Sequence, residues 1–143
     1  MLISTRGRYA LRVLVDMAEH QTEGYMTLRE VARRQDISEK YLEAIVKDLV
    51  KDGVLTGVRG KGGGYRLCRA PDKINVGDVL CRMESTLSPV ACLEDGAAPC
   101  ARAAECRTLE FWRGLDDVIR RYVQGYTVAD LMRKEDAGND YII

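Results

Sequence analysis

The sequence of 143 residues lacks any long apolar run. No stretch approaches the roughly 18 apolar residues that a membrane-spanning helix needs, and the N-terminus enters patterned sequence without the apolar core of a signal peptide. We therefore expect a cytoplasmic protein with no membrane partner. A chain of this length builds about one ordinary domain.

Histidine and the common catalytic motifs are also scarce. His20 is the only histidine, and neither C-x-x-C nor C-x-x-C-H occurs, which excludes the thioredoxin and haem-attachment motifs. There is no G-x-x-x-x-G-K-[ST] phosphate-binding loop, nucleotide-binding fingerprint or catalytic triad. We expect a protein that is not an enzyme, with a small electron-transfer or redox protein as the weaker alternative.

A net charge is lacking too, since 22 basic residues balance 22 acidic residues. Their distribution is uneven. Residues 1–70 contain 13 Lys and Arg against 9 Asp and Glu, and residues 71–143 contain 9 against 13. A basic half beside an acidic half fits a DNA-binding half joined to a half with another task, although chance often produces differences of this size.

Two capped helices joined by a short turn lie in the basic half. A capping box of Thr27 and Glu30 predicts a helix over about 28–35, and Ser38 is a good N-cap for a helix over about 39–52. The second helix has an apolar inner face of Leu42, Ile45, Val46, Leu49 and Val50 and an outer face of Lys40, Glu43, Ala44, Lys47 and Lys51. This pattern indicates a helix-turn-helix, and an ordinary helical hairpin explains it equally well.

Two strand-like runs follow these helices, over 54–59 and 65–69, and the glycine-rich segment 60–64 joins them. A β-hairpin directly after a helix-turn-helix is a wing, which favours the DNA-binding interpretation. Arg59, Lys61 and Arg66 would reach phosphates or a minor groove. The expected fold is a winged helix-turn-helix, mainly α with a small β-hairpin.

The acidic half contains an irregular segment between two predicted helices. A helix over about 76–84 precedes residues 85–107, which lack periodicity, and a helix over about 109–123 follows them. The last helix carries an apolar stripe of Leu109, Trp112, Leu115, Val118, Ile119 and Tyr122. A stripe this apolar needs a partner, and a second copy of the chain is a plausible one.

Three of the five cysteines share the irregular segment. Seven residues separate Cys92 from Cys100, and five separate Cys100 from Cys106. Thiolates suit zinc and iron–sulfur clusters, and a loop is free to turn each sulfur towards one centre. A cluster, a zinc site and redox-active thiols all remain open. Cys68 and Cys81 fall in regular elements, where we expect small buried apolar residues.

One pattern spans nearly the whole chain. It comprises ISTRGRYAL at 3–11, SEKYLE at 38–43, VRGKGGGY at 58–65, and the three cysteines followed by Trp112. This pattern resembles the iron–sulfur cluster regulator family, IscR and its relatives of the Rrf-two type. The resemblance implies dimers of winged-helix subunits that pair through a long C-terminal helix, many with a [2Fe–2S] cluster and some with [4Fe–4S].

One position departs from that family. Three residues after the last cysteine IscR proper has a histidine, its fourth cluster ligand, whereas this sequence has Leu109. Other candidates for a fourth ligand are Glu94, Asp95, Glu105 or Glu110, a group from the partner subunit, or solvent. The family also includes cluster-free repressors of cysteine metabolism, which lack the three cysteines.

Together these observations predict a homodimeric regulator that binds a palindromic operator in double-stranded DNA and senses iron–sulfur status, controlling cluster biogenesis or related sulfur and redox genes. Residues 1–84 form the expected DNA-binding domain, 85–107 the cysteine loop and 108–143 the dimerisation segment.

The expected DNA-contacting residues are Arg8, Thr27, Ser38, Lys40, Tyr41, Glu43, Lys47, Arg59, Lys61 and Gly62, and the expected metal ligands are Cys92, Cys100 and Cys106. The expected cofactor is a cluster, [2Fe–2S] rather than [4Fe–4S], and the iron–sulfur assembly machinery is a further expected partner. The alternative is a cluster-free, zinc-dependent or thiol-redox repressor of cysteine metabolism.

Overall fold

A computed structural model describes residues 1–133, so the end of the predicted 108–143 segment lies outside the described residues. The helices are α1 (Thr5–Glu19), α2 (Leu28–Gln35), α3 (Glu39–Lys51), α4 (Val76–Met83), α5 (Leu109–Gln124) and α6 (Val128–Leu131), and the strands are β1 (Leu55–Val58) and β2 (Gly64–Leu67). The predicted mainly α fold with a small β-hairpin is confirmed. None of the helices in this described part is long and apolar enough to cross a membrane.

The helix starts follow the caps expected from the sequence. The Thr27 hydroxyl accepts a hydrogen bond from the Glu30 amide, and the Glu30 carboxylate accepts one from the Thr27 amide at 2.9 Å, which completes the capping box of α2. Ser38 caps α3 by accepting from the Tyr41 amide at 3.2 Å. These bonds satisfy amides that a helix leaves unpaired at its first turn, so they fix where α2 and α3 begin.

The core lies where α1, α2 and α3 meet the end of the wing and α6. Its buried side chains include Val13, Leu14, Val31, Leu42, Ile45, Val46, Leu49, Leu55, Ile74 and Val128. The prediction that Val50 belongs to this inner face is wrong, because 37% of the residue is exposed. Val50 is one residue past Leu49, and the 100° turn of an α-helix rotates it away from the core towards the wing.

A buried carboxylate joins α1 to α2. The side chain of Asp16 is 1% exposed, and Arg34 donates to both of its oxygens at 2.7–3.1 Å. Gln35 donates a further hydrogen bond at 2.8 Å. Burial alone would raise the pKa of Asp16, but these hydrogen bonds and the Arg34 charge hold it below its ordinary value of 3.8. The ionised pair therefore links the two helices.

The wing is an antiparallel hairpin that is docked on the start of α2. Leu55 pairs with Leu67 and Val58 with Gly64, and the Met26 and Tyr65 backbones exchange two hydrogen bonds of 2.8 Å. Gly64 has φ +146°, and a Cβ there would lie 2.3 Å from the Met26 carbonyl oxygen. Only glycine allows so close an approach of the two backbones.

The second half packs more loosely than the first. Leu87 joins Val76 and Leu80 in a small separate core, whereas α5 has no fully buried residue. The prediction that Cys68 and Cys81 are buried is wrong, since both are exposed. Cys68 lies just past the end of β2. Cys81 follows Leu80 on α4, where the helical turn carries it off the buried face.

Candidate DNA-binding surface and cysteine loop

An open groove separates α3 from the wing. Its volume is about 520 Å³, and its lining residues are Leu28, Glu43, Lys47, Val50, Gly57, Val58, Arg59 and Tyr65. Three of the predicted DNA-contacting residues, Glu43, Lys47 and Arg59, are thus brought to one concave surface from two elements. We name this surface the wing groove. It combines two cations, one carboxylate and exposed apolar side chains.

A second surface lies where α1 meets the start of α3. Tyr41 stands edge-on to Tyr9 with ring centroids 5.7 Å apart, and the Arg12 guanidinium lies 5.0 Å from the Tyr9 ring. Tyr41 and Ser38 line this surface together with Thr5 and Tyr9. Arg8 is exposed nearby and donates to the Thr5 hydroxyl at 3.2 Å. The predicted contacts Arg8, Ser38 and Tyr41 are therefore grouped, separately from the wing groove.

The remaining predicted contacts, Thr27, Lys40, Lys61 and Gly62, are exposed. The hydroxyls of Thr27 and Ser38 cap α2 and α3, so a contact with DNA would come in addition to the cap. Gly62 has φ +76°, which fits a tight turn at the tip of the hairpin. Lys40 and Lys61 are exposed on α3 and at that tip.

The three candidate metal ligands are all exposed in the cysteine loop. Short 3₁₀ turns at Ala91–Leu93 and Ala103–Glu105 interrupt the loop. Within residues 1–133, no group of three or more His, Cys, Asp or Glu side chains is arranged to hold a metal ion. The donor chemistry of three thiolates fits an iron or zinc centre. The donor set is one short of the four ligands that such centres usually take.

The candidates for a fourth ligand differ in their surroundings. Asp95 pairs with Arg120 at 3.3 Å, and Glu110 pairs with Arg113 at 2.7 Å. Glu94 and Glu105 are exposed. A metal bound by Glu94 or Glu105 would therefore leave the Asp95–Arg120 and Glu110–Arg113 ion pairs intact.

The Cys106 thiol lies next to hydrogen-bond donors at the start of α5. Its sulfur is 3.5 Å from the Thr108 hydroxyl oxygen. Hydrogen bonds from the hydroxyl and the backbone amide of Thr108 lower the pKa of Cys106 below its ordinary value of 9.0. A larger fraction of this thiol is therefore ionised, and the thiolate is the form that binds metals.

Helix α5 presents large apolar side chains to solvent. Phe111, Val118 and Tyr122 are each more than half exposed, and we name them the outer face of α5. Leu109, Trp112, Leu115 and Ile119 of the predicted stripe are partly buried, whereas Val118 and Tyr122 lie on the outer face. Sequence reasoning missed Phe111. The spacing of Phe111, Leu115, Val118 and Tyr122, alternately four and three residues, is the pattern of a helix-pairing seam and would have found it.

The comparison with known families decides the class of the protein. Residues 3–134 match the model of the Rrf2 family, whose description is iron-dependent transcriptional regulator. The chain belongs to the Rrf2 family. It is therefore a DNA-binding transcription regulator and not an enzyme, as the sequence predicted.

Individual Rrf2 relatives agree with this assignment. Protein rrf2 of Nitratidesulfovibrio vulgaris is 39% identical over 93% of this chain and 88% of its own length. The HTH-type transcriptional regulator IscR of Aliivibrio salmonicida is 36% identical over 92% of this chain and 77% of its own length.

A solved Rrf2-type structure shares the fold. The global cysteine regulator CymR of B. subtilis superposes with a TM-score of 0.74 at 34% identity, covering 92% of this chain and 95% of that one. The relatives and neighbours of the chain thus include a regulator named IscR and a global cysteine regulator, and the winged helix-turn-helix expectation is confirmed.

Proposed function

We propose that this Rrf2 regulator is a cytoplasmic homodimer that binds a palindromic operator through α3 and the wing. The observation that carries the proposal is the wing groove, in which Glu43, Lys47 and Arg59 converge from two elements. A recognition helix enters the major groove of DNA, and a wing follows the adjacent backbone or minor groove. Residues 1–84 form this DNA-binding unit.

We assign a DNA contact to each charged side chain of the wing groove. Lys47 and Arg59 contact phosphates, as do Lys40 and Lys61 and, on the second surface, Arg8, and they supply affinity without sequence information. Glu43 accepts a hydrogen bond from a cytosine amino group. A carboxylate among phosphates is repelled unless it meets the right base, so Glu43 discriminates by excluding other sequences.

Selection of binding sites from random DNA tests the role of Glu43. We expect Glu43→Ala to relax the selected sequence more than it lowers total affinity. Glu39→Ala is the matched control, because Glu39 is also an exposed carboxylate on α3 but does not line the wing groove. Selection of the same sequence by Glu43→Ala and by the unchanged protein would remove Glu43 from the contacts.

The second subunit pairs through α5. The outer face of α5 exposes three large apolar side chains, and burying such a surface against its own copy is the simplest way to remove it from water. Half-sites of a palindrome lie about 34 Å apart, so the pairing of two α5 helices sets the distance between the two recognition helices.

The cysteine loop holds an iron–sulfur cluster in this proposal, with Cys92, Cys100 and Cys106 as ligands and [2Fe–2S] favoured over [4Fe–4S]. Three soft donors in one loop and the iron-dependent description of the family support it. Such a cluster would supply a group that is lost or oxidised when iron or oxygen supply changes. The iron–sulfur assembly machinery would be the partner that loads it.

Iron and sulfide analysis of anaerobically reconstituted protein tests the ligands. We expect Cys92→Ala, Cys100→Ala and Cys106→Ala to purify folded but colourless. Cys68→Ala and Cys81→Ala are matched controls, because both thiols are also exposed but lie outside the cysteine loop. Full cluster content in any of the first three variants would overturn the assignment.

A second candidate is a regulator that responds through its thiols or zinc without a cluster. The observation that favours it is that the three sulfurs are exposed and not arranged around a centre in the described residues. The likeness to CymR, a global cysteine regulator, gives this alternative a precedent. A colourless protein after anaerobic reconstitution, with or without bound zinc, would favour it.

A further inference from the structure

One arginine connects α5 to the first part of the cysteine loop. Arg120 donates to the Asp116 carboxylate at 2.9 Å on its own helix, to the Ser88 hydroxyl at 3.2 Å and to the Asp95 carboxylate at 3.3 Å. Asp95 is almost fully exposed, so its pair with Arg120 adds little. The bond to Ser88 is the one that joins Arg120 to a buried residue.

Ser88 is a buried polar residue, 4% exposed, at the start of the loop. Its hydroxyl donates to the Leu93 carbonyl oxygen at 3.0 Å while it accepts from Arg120, and its amide donates to the Thr86 hydroxyl at 3.0 Å. Leu93 follows Cys92 directly. The buried hydroxyl therefore closes the backbone around Cys92 and ties it to α5.

The second part of the loop has no comparable attachment among the hydrogen bonds of residues 1–133. The backbone bonds of Cys100 and Cys106 run to Ala103 at 3.0 and 3.4 Å and to Leu109 at 3.4 Å, and so stay within the segment and its junction with α5. Within residues 1–133, Cys92 is thus the one thiol of the three whose neighbouring backbone, at Leu93, is joined to α5 through Ser88 and Arg120.

We propose that Ser88 and Arg120 are positioning residues that hold the Cys92 part of the loop on α5 and transmit its state to that helix. The inference deepens the proposed function, on which it rests. The chain of contacts from Leu93 through Ser88 and Arg120 to Asp116 is continuous. A change of ligation at Cys92 would act on the adjacent Leu93 and, through these contacts, on the helix proposed to set the spacing of the recognition helices.

The first test measures backbone hydrogen exchange in the full chain without a cluster. Removing a hydrogen bond from a charged donor is expected to raise local opening about tenfold. Arg120→Met should therefore speed exchange at residues 88–97 by about that factor and leave 98–107 unchanged. Arg121→Met is the matched control, because Arg121 is the next residue on α5 and its ion pair within residues 1–133 is with Asp117 on the same helix.

Two more variants separate the contact from general damage. Arg120→Lys keeps the charge but has one donor group in place of the fork, so its exchange should be intermediate. Ser88→Ala should raise exchange in the same residues, and the double variant Ser88→Ala/Arg120→Met should raise it by less than the sum of the two, because both changes remove the Arg120–Ser88 bond. Equal exchange in Arg120→Met and Arg121→Met would overturn the proposal.

The second test measures the ratio of operator affinities with and without the cluster. Arg120→Met should retain normal iron and sulfide content but bring this ratio towards one, whereas Arg121→Met should keep the ratio of the unchanged protein. An unchanged ratio in Arg120→Met would overturn the transmission step. If the unchanged protein binds no iron and sulfide, the proposed cluster fails, and the exchange experiment still decides whether Ser88 and Arg120 hold the loop.

Discussion

The two halves of the molecule differ in how much of their apolar surface is buried. The winged-helix half buries most of its large apolar side chains in one core, and its one deeply buried carboxylate, Asp16, is paired with Arg34. The second half leaves Phe111, Val118 and Tyr122 exposed on a helix without a fully buried residue. The first half is therefore complete as a single subunit, whereas the second has the surface of a protein that needs a partner.

The largest expected effect compares a core residue of the first half with an outer residue of the second. Ile45→Ala should lower the free energy of unfolding by about 2–5 kcal/mol, because it leaves a cavity among fully buried neighbours. Phe111→Ala should lower stability mainly by weakening the dimer. The decrease in the free energy of unfolding that it causes should therefore become smaller as the protein is diluted. Urea unfolding at two protein concentrations measures both, and a Phe111→Ala loss that is independent of concentration would contradict the comparison.

The helices and the wing could be predicted from sequence because their signals are local. Thr27, Ser38 and Asn75 are caps within three residues of their partners, and their helices begin where expected. Exposure was harder to predict. Val50 and Cys81 are both apolar residues on helices with a buried apolar face. Each lies one residue past a buried leucine, and the 100° turn per residue places it off that face.

The contacts that join distant segments had no sequence signal. Arg34 and Asp16 are 18 residues apart, and Arg120 and Ser88 are 32 residues apart. A charged residue on a helix is most often solvated, so neither arginine stood out until the fold brought a buried acceptor to it. The same limit applies to the cysteine loop, since spacing identifies the thiols but does not specify how an irregular segment places them.

The dimer surface can be broken without touching the core. Val118→Lys should convert the dimer to a monomer at micromolar concentration and weaken binding to a palindrome by at least about tenfold, because each subunit then binds one half-site alone. Asp117→Lys is the matched control, since it places the same charge one residue earlier on a side that is already charged. Analytical ultracentrifugation checks the mass, and a persistent Val118→Lys dimer would place the interface elsewhere.

The buried pair of the first half gives a pH-dependent prediction. Asp16→Asn should cost about 2 kcal/mol at neutral pH, because Arg34 keeps its charge but loses its partner. The pKa of Asp16 is lower in the folded protein than its ordinary 3.8. The ionised carboxylate therefore stabilises the fold fully above that value, and the contribution is lost as pH falls from 3.8 towards the folded pKa.

Urea unfolding of both proteins at neutral and at acidic pH measures this dependence. The difference in stability between the unchanged protein and Asp16→Asn should narrow at the acidic end. Gln35→Ala is a milder companion variant, because Gln35 donates only one hydrogen bond to the same carboxylate. A difference that stays constant with pH would show that Asp16 contributes by packing rather than by its charge.

The smallest expected effect concerns a single cation of the wing. Arg59 is exposed and lines the wing groove beside Glu43 and Lys47, so in the complex it neutralises about one phosphate. Arg59→Ala should weaken binding to operator and random DNA alike and reduce the slope of log affinity against log salt by about one. Arg69→Ala is the matched control, because Arg69 lies just beyond β2 and lines a different cleft, beside Asp52 and Arg82. If the salt slope is unchanged in Arg59→Ala, or falls equally in Arg69→Ala, the wing does not meet the DNA backbone at this residue, and the groove reads DNA through α3 alone.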